Sequence, residues 1–229
     1  VFPYTPIWFL TTILIFAISY IVIGGFRVIT GICFWGVVIP TLLLLTLYFP
    51  LQYSYWTNLL PVFNHSLNDF FISAKNSVLM YSGPEFLLIY YPFVKNNKNS
   101  QKWAHISQAY TMILYLFITI ISLVYFSHGQ LEHTIWPTLI MSKIINFAFV
   151  ERFEYIYIFT WLLVILPPCC IALWGGVRIL KESFKFRAKM SLWMSIIIIY
   201  FIVINIKSKT DVDKMSSILT LVSSIVIYI

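Results

Sequence analysis

Glu85 is the residue in this chain whose placement most suggests chemistry. It lies inside a long apolar stretch, directly after Gly83 and Pro84, in "YSGPEFLLIYYPF" (residues 81–93). A carboxylate in hydrocarbon is expensive, so it belongs on a surface turned toward protein or water. Pro84 has no N–H to donate, and its ring crowds the carbonyl four residues earlier, at Met80. Gly83 weakens the helix further, and the proline biases Gly83 away from αR. The pattern predicts that the helix opens across Tyr81–Pro84. Backbone groups freed in lipid must be met by protein or by a wet cavity. Two readings fit. One is a discontinuous helix whose half-helix ends meet a substrate near the membrane midplane. The other is a proline kink with a protonated Glu85 bonded to a neighbouring helix. Lys75 lies ten residues earlier, about 15 Å along a helix, and is expected to snorkel to the outer interface rather than pair with Glu85.

A second group of charges sits in "VERFEYIYIFTW". Glu151 and Glu154 are three apart, on one face of a helix beginning there, with Arg152 expected to point elsewhere. Acids in a first helical turn favour the dipole; the alternative is a charge cluster in an outer vestibule. "HGQLEH" offers His128, Glu132 and His133, but it misses the H-x-x-E-H spacing by one and Gly129 is expected to break a helix there. Asn64-His65-Ser66 matches a glycosylation sequon, which carries meaning only in a eukaryotic secretory context. Cys33, Cys169 and Cys170 show no CxxC or Cys/His spacing. No metal or cofactor is expected. No nucleophile elbow, P-loop or GxGxxG is present, so an enzyme reading has no positive support.

These residues sit in a chain that is 60% hydrophobic and 10% charged over 229 residues, with a mean hydropathy of +0.88. Soluble domains carry about 25% charged residues, and too little polar sequence is present here to cover a water-facing surface. The expected class is an all-α polytopic membrane protein. A β-barrel would alternate apolar and polar residues, which these runs do not. The formal charge of +7 lies in short loops. No basic groove with interleaved aromatics points to nucleic acid.

Seven spans are expected: 5–23, 31–49 with a kink at Pro40, 67–93, 103–126, 151–180, 190–206 and 215–229. A helix over 136–147 is too short to cross and reads as re-entrant or interfacial. The loops after spans one, three and five carry Arg27, then Lys95, Lys98 and Lys102, then Arg178, Lys181, Lys185, Arg187 and Lys189. The opposite loops carry fewer cations: Lys143, Arg152, Lys207, Lys209 and Lys214. The bias places the start of the chain outside and its C-terminus in the cytoplasm. The chain opens on Val1 with apolar sequence and no leader pattern. It is therefore expected to begin partway into a longer protein.

Several stretches, in order, resemble the B subunit of bacterial spore germinant receptors, the spore permease family. "TPIWFLTTILIFAISYIVIGG" resembles that family's fourth span. "PTLLLLTLYFPLQYSYWTNLLPVF" resembles its fifth span and the loop that follows. "GPEFLLIYYPFVKNNKN" resembles its gapped sixth span, and "WPTLIMSKIINFAFVERFEYIYIFTW" its outer helix and the entry to the eighth. The resemblance covers essentially the whole chain. It implies membership of the amino acid-polyamine-organocation transporters, with ten spans in two inverted five-helix repeats of LeuT-like form. The seven spans here would be spans four to ten of one integral membrane domain, 1–229, lacking its first three. It further implies a receptor in the inner membrane of the dormant spore, working beside an A subunit with cytosolic domains and a lipoprotein C subunit. The germinant would be a small nutrient such as an amino acid or nucleoside. By position it would meet Tyr81, Ser82, Gly83, Pro84 and Glu85, with Phe159 or Thr160 facing them.

Three functions follow as expectations. The first is a germinant-receptor subunit that passes a conformational signal to partners. The second is an active proton-coupled amino-acid permease with Glu85 as proton carrier. The third is a truncated, non-functional remnant.

Overall fold

The computed structural model describes residues 5–60, 66–77, 81, 83–95, 100–145, 152–206 and 208–228, and every regular element among them is helical. The chain divides into two compact units, residues 1–31, 65–91 and 168–229 in the first, and 32–64 and 92–167 in the second.

In the first unit, α1 (Ile7–Ile23) is apolar on all sides. Pro6 stands at its N-cap, in extended backbone, rather than inside the first turn. Gly24 and Gly25 end it, at the expected limit of the first span, residue 23. The Gly24 N–H donates to the Tyr20 carbonyl, and Gly25 turns the chain with φ +83°, a value that suits glycine. The next helix, α2 (Phe26–Leu43), begins at once, before the expected 31. α4 (Leu67–Ser77) starts on a reciprocal box in which Ser66 and Asp69 bond each other's backbone N–H. Ser208 and Asp211 repeat the device at α11 (Lys209–Tyr228). The latter part of α9 (Glu154–Phe184) and α10 (Ala188–Asn205) complete the unit. Lys185, with φ +55°, stands in the left-handed position that commonly closes a helix. α1 packs along α10, and Ile18, Ile21, Val22, Leu173, Leu192 and Ile196 are buried.

In the second unit α2 carries Pro40 internally, and helical backbone continues through a 3-10 turn (Leu44–Leu47) into α3 (Tyr48–Gln52). The 3-10 turn, α3, α6 (Ser100–Tyr125), α7 (His128–His133) and α8 (Pro137–Ser142) supply a core of Leu47, Ile121, Phe126 and Met141 and the partly buried residues packed on it. The Val124 carbonyl accepts both the Tyr55 N–H (3.0 Å) and the Asn58 amide (3.1 Å), which pins the aromatic loop after α3 to the end of α6. Thr46 and Tyr157 share a hydroxyl hydrogen bond of 2.6 Å.

Among the described residues, four helical stretches are long and apolar enough to cross a membrane: Phe26–Gln52, α6, α9 and α10. α1, at 17 residues, is a shorter apolar helix. The expected third span, 67–93, is helical over α4 and again from Pro84, with Gly83 outside any helix between them. The expected helix break at Gly129 does not occur. Ser127 and Gln130 form a capping box that sustains α7 across it, because side-chain caps offset the weak propensity of one glycine.

Candidate functional site

The predicted opening is present. Gly83 lies outside any helix with φ +141°, a region that glycine enters and L-residues resist. Pro84–Phe86 then forms a 3-10 turn, followed by α5 (Leu87–Tyr90) and a second 3-10 turn over Tyr91–Phe93. Proline suits this first position, where its missing N–H would have no helical partner. The Phe86 N–H donates to the Gly83 carbonyl at 3.1 Å.

Glu85 folds back on the break itself. Its Oε2 accepts the Gly83 N–H at 2.6 Å, and the side chain is half-buried. The acid therefore satisfies a donor that the break releases, as the returning half of a capping box does. A carboxylate has lone pairs for further donors, so this bond does not exhaust it.

Three residues that the sequence reading passed over position this segment within the first unit. A Cβ placed on Gly175 of α9 would lie 3.2 Å from Ile89 Cδ1 and 3.5 Å from the Phe86 ring, so the missing side chain is what admits the segment. Phe26 stacks on Tyr90 with ring centroids 5.9 Å apart and meets Trp174 at 4.9 Å. The Gly175-Gly176 pair inside an apolar helix was the available signal, since small residues let helices approach closely.

Tyr81 is exposed, and Ser82 lies outside the described residues. Pro84 is placed by its backbone alone. Phe159 and Thr160 belong to the second unit, and the structure fixes their rotation on α9. Phe159 is 64% exposed and Thr160 5%. Thr12, Thr30 and Thr41 each return their hydroxyl to the carbonyl four residues earlier. The buried Thr160 hydroxyl has no partner among the described residues, and such a group costs free energy until something meets it.

The expected charge cluster takes a different form. α9 begins at Glu154, and Glu151 lies outside the described residues. Arg152 does not point away. Its Nε donates to Glu154 Oε1 at 3.1 Å, and its guanidinium lies 4.5 Å from the centre of the Tyr155 ring. Because residue 152 precedes the helix, its side chain is free to reach forward over the first turn. No three His, Cys, Asp or Glu side chains gather as a metal site among the described residues.

Residues 1–212 match the model of a family described as spore germination protein. The chain is 38% identical to the spore germination protein GerQB of Bacillus cereus over 216 residues, which is 94% of this chain and 60% of that protein. It is 29% identical over 114 residues to GerLB of Bacillus cereus, 47% of this chain and 30% of that protein. It is 24% identical over 202 residues to spore germination protein A2 of Bacillus subtilis (strain 168), 86% of this chain and 55% of that one. The chain thus spans about three-fifths of the length of GerQB. No solved structure matches it.

Proposed function

The chain belongs to the spore germination protein family, and from that premise we propose that it is the permease-like membrane subunit of a nutrient germinant receptor. Its fold is read as one integral membrane domain, part of a LeuT-like inverted repeat, with seven spans corresponding to spans four to ten. It works in the inner membrane of the spore with A and C partner subunits, its N-terminal end outside and its C-terminus in the cytoplasm. The ligand is an amino acid or a nucleoside.

The observation that carries this reading is the bond between Glu85 and the Gly83 N–H at 2.6 Å. It closes a donor and an acceptor on each other inside a broken helix. An amino acid offers the complement of both: its ammonium suits the carboxylate, and its carboxylate suits the freed N–H. Binding would exchange the internal bond for two bonds to the ligand. A ligand shifts a conformational equilibrium only by its differential affinity for the two states, and this exchange supplies such a difference. Tyr81, Ser82, Gly83, Pro84 and Glu85 are the contacts proposed at the break. Thr160 is proposed separately, on its unpartnered hydroxyl, together with the adjacent Phe159. Glu151, Arg152 and Glu154 are proposed as a charged outer vestibule.

The test is Glu85→Gln in the receptor as the spore assembles it. The expected outcome is a germination dose-response displaced by about tenfold or more, the scale of a lost charged hydrogen bond, with the subunit still present in the membrane at its normal amount. An unchanged dose-response would remove Glu85 from the site. Accumulation of labelled nutrient in vesicles holding the full-length protein would turn the reading toward a proton-coupled permease.

A further inference from the structure

Within the first unit, α1, α9 and α10 leave a seam between them that holds two cavities in succession. The upper one, about 530 Å³, is walled by Ile15 and Ile18 of α1, Leu173 and Gly176 of α9, and Ile196 and Ile199 of α10. The lower one, about 600 Å³, follows where α1 reaches Val22 and Ile23. There α9 presents Trp174, Arg178 and Lys181, and α10 presents Lys189 and Trp193. Both cavities touch the same three helices, one after the other, and their lining changes from predominantly apolar, with Thr11 and Ser195 as its hydroxyl groups, to cationic.

The lining of the lower cavity carries a net positive charge. Glu182 is the one acid between residues 168 and 206. It holds Arg178 at 2.8 Å on an exposed face. Among the described residues no carboxylate lies within ion-pair distance of Lys181 or Lys189. Arg178 stands 5.7 Å from the centre of the Trp174 ring. Tryptophans flanking cations at one end of apolar helices mark the headgroup level of a bilayer. From Lys181 to Cys169, α9 runs 12 residues, about 18 Å at its helical rise, against ~15 Å for one leaflet's share of the hydrocarbon core.

We infer that the seam binds one anionic phospholipid, its phosphate against Arg178, Lys181 and Lys189 and an acyl chain in the apolar cavity above. A free phosphate would satisfy the cations and leave that cavity empty. An uncharged lipid would fill the cavity and leave the cations unmet. Only a molecule with both parts, joined in that order, fits both halves. The site shares Trp174 with the packing beside the Glu85 segment, but the proposal does not depend on the nutrient-sensing reading.

The test uses the full chain in mild detergent, titrated separately with phosphatidylglycerol, phosphatidylcholine and inorganic phosphate, with bound molecules counted by native mass spectrometry. One phosphatidylglycerol per chain is expected to be retained in preference to phosphatidylcholine. Lys181→Gln with Lys189→Gln should weaken that retention by about fivefold per lysine, the worth of a basic residue at an anionic bilayer surface. Lys185→Gln with Arg187→Gln removes the same charge from the turn between α9 and α10, outside the cavity lining, and should leave retention close to wild type. Gly176→Leu fills the apolar half, since a Cβ there meets no described atom within 4 Å. It should weaken phosphatidylglycerol with no change of charge. Equal retention of both lipids would overturn the proposal, as would equal losses in the two charge variants. So would inorganic phosphate displacing the lipid from wild type while Gly176→Leu retains it.

Discussion

Pro84 and Pro167-Pro168 pose the same problem to a helix, and the chain answers it differently. At Pro84 the helical run starts afresh after a glycine outside the helix. At Pro167-Pro168 two successive prolines sit inside α9, and its 31 residues stay helical through both. Proline alone therefore does not open a helix here. In α9 the two missing N–H groups leave the carbonyls of Leu163 and Val164 without their usual donors, yet a turn or more of apolar helix continues on each side, and cooperativity favours carrying on. Gly36 also approaches closely. A Cβ there would lie 3.1 Å from the Leu163 carbonyl and 2.9 Å from Pro167, so only a glycine lets α2 cover that site. At the break the residue ahead of the proline is itself a glycine, and a carboxylate two residues on holds its N–H. The difference is whether the neighbours of the proline favour leaving the helix.

Three substitutions sharpen or break this contrast, each read by the thermal transition of the full-length protein in detergent and by germination response. Gly83→Leu should have the largest effect. A branched L-residue forced to φ +141° costs about 1–3 kcal/mol, and the response should be lost or severely blunted; wild-type behaviour would make the break a passive kink. Gly175→Val should come next. Its new side chain meets Ile89 and Phe86, an overpacking cost of about 1–3 kcal/mol, and Ile89→Ala in the same chain should recover part of the loss. Pro167→Ala should matter least, within about 1 kcal/mol, because the restored hydrogen bond is worth little more than that net. A large change in either direction would mean that the α9 prolines carry a role the contrast denies them.

Much of the helical layout was legible in the sequence. The end of α1 at Gly24-Gly25, the opening at Gly83-Pro84, the short helix after Trp136 and the limits of α6 and α10 follow from apolar runs and their punctuation. What escaped has two physical causes. First, a helix that is apolar on all sides carries no stripe to fix its rotation. Phe159 and Thr160 were therefore equal candidates until the structure buried one and exposed the other, and Gly175 could not be assigned a partner. Second, the short-range bonds of polar side chains were present but unread. Ser66 with Asp69, Ser127 with Gln130 and Ser208 with Asp211 each place a helix start. The forward reach of Arg152 to Glu154 likewise depended on α9 beginning three residues later than the charges suggested.

Gly83 has one more consequence. An added L-Cβ there would meet no described atom within 4 Å, so bulk is not what reserves the position for glycine. Handedness is. The mirror image of its φ is ordinary extended backbone, which makes the site a stereochemical filter. A D-alanine introduced by chemical ligation would escape the φ strain there that its L-enantiomer, with the same atoms and volume, would carry.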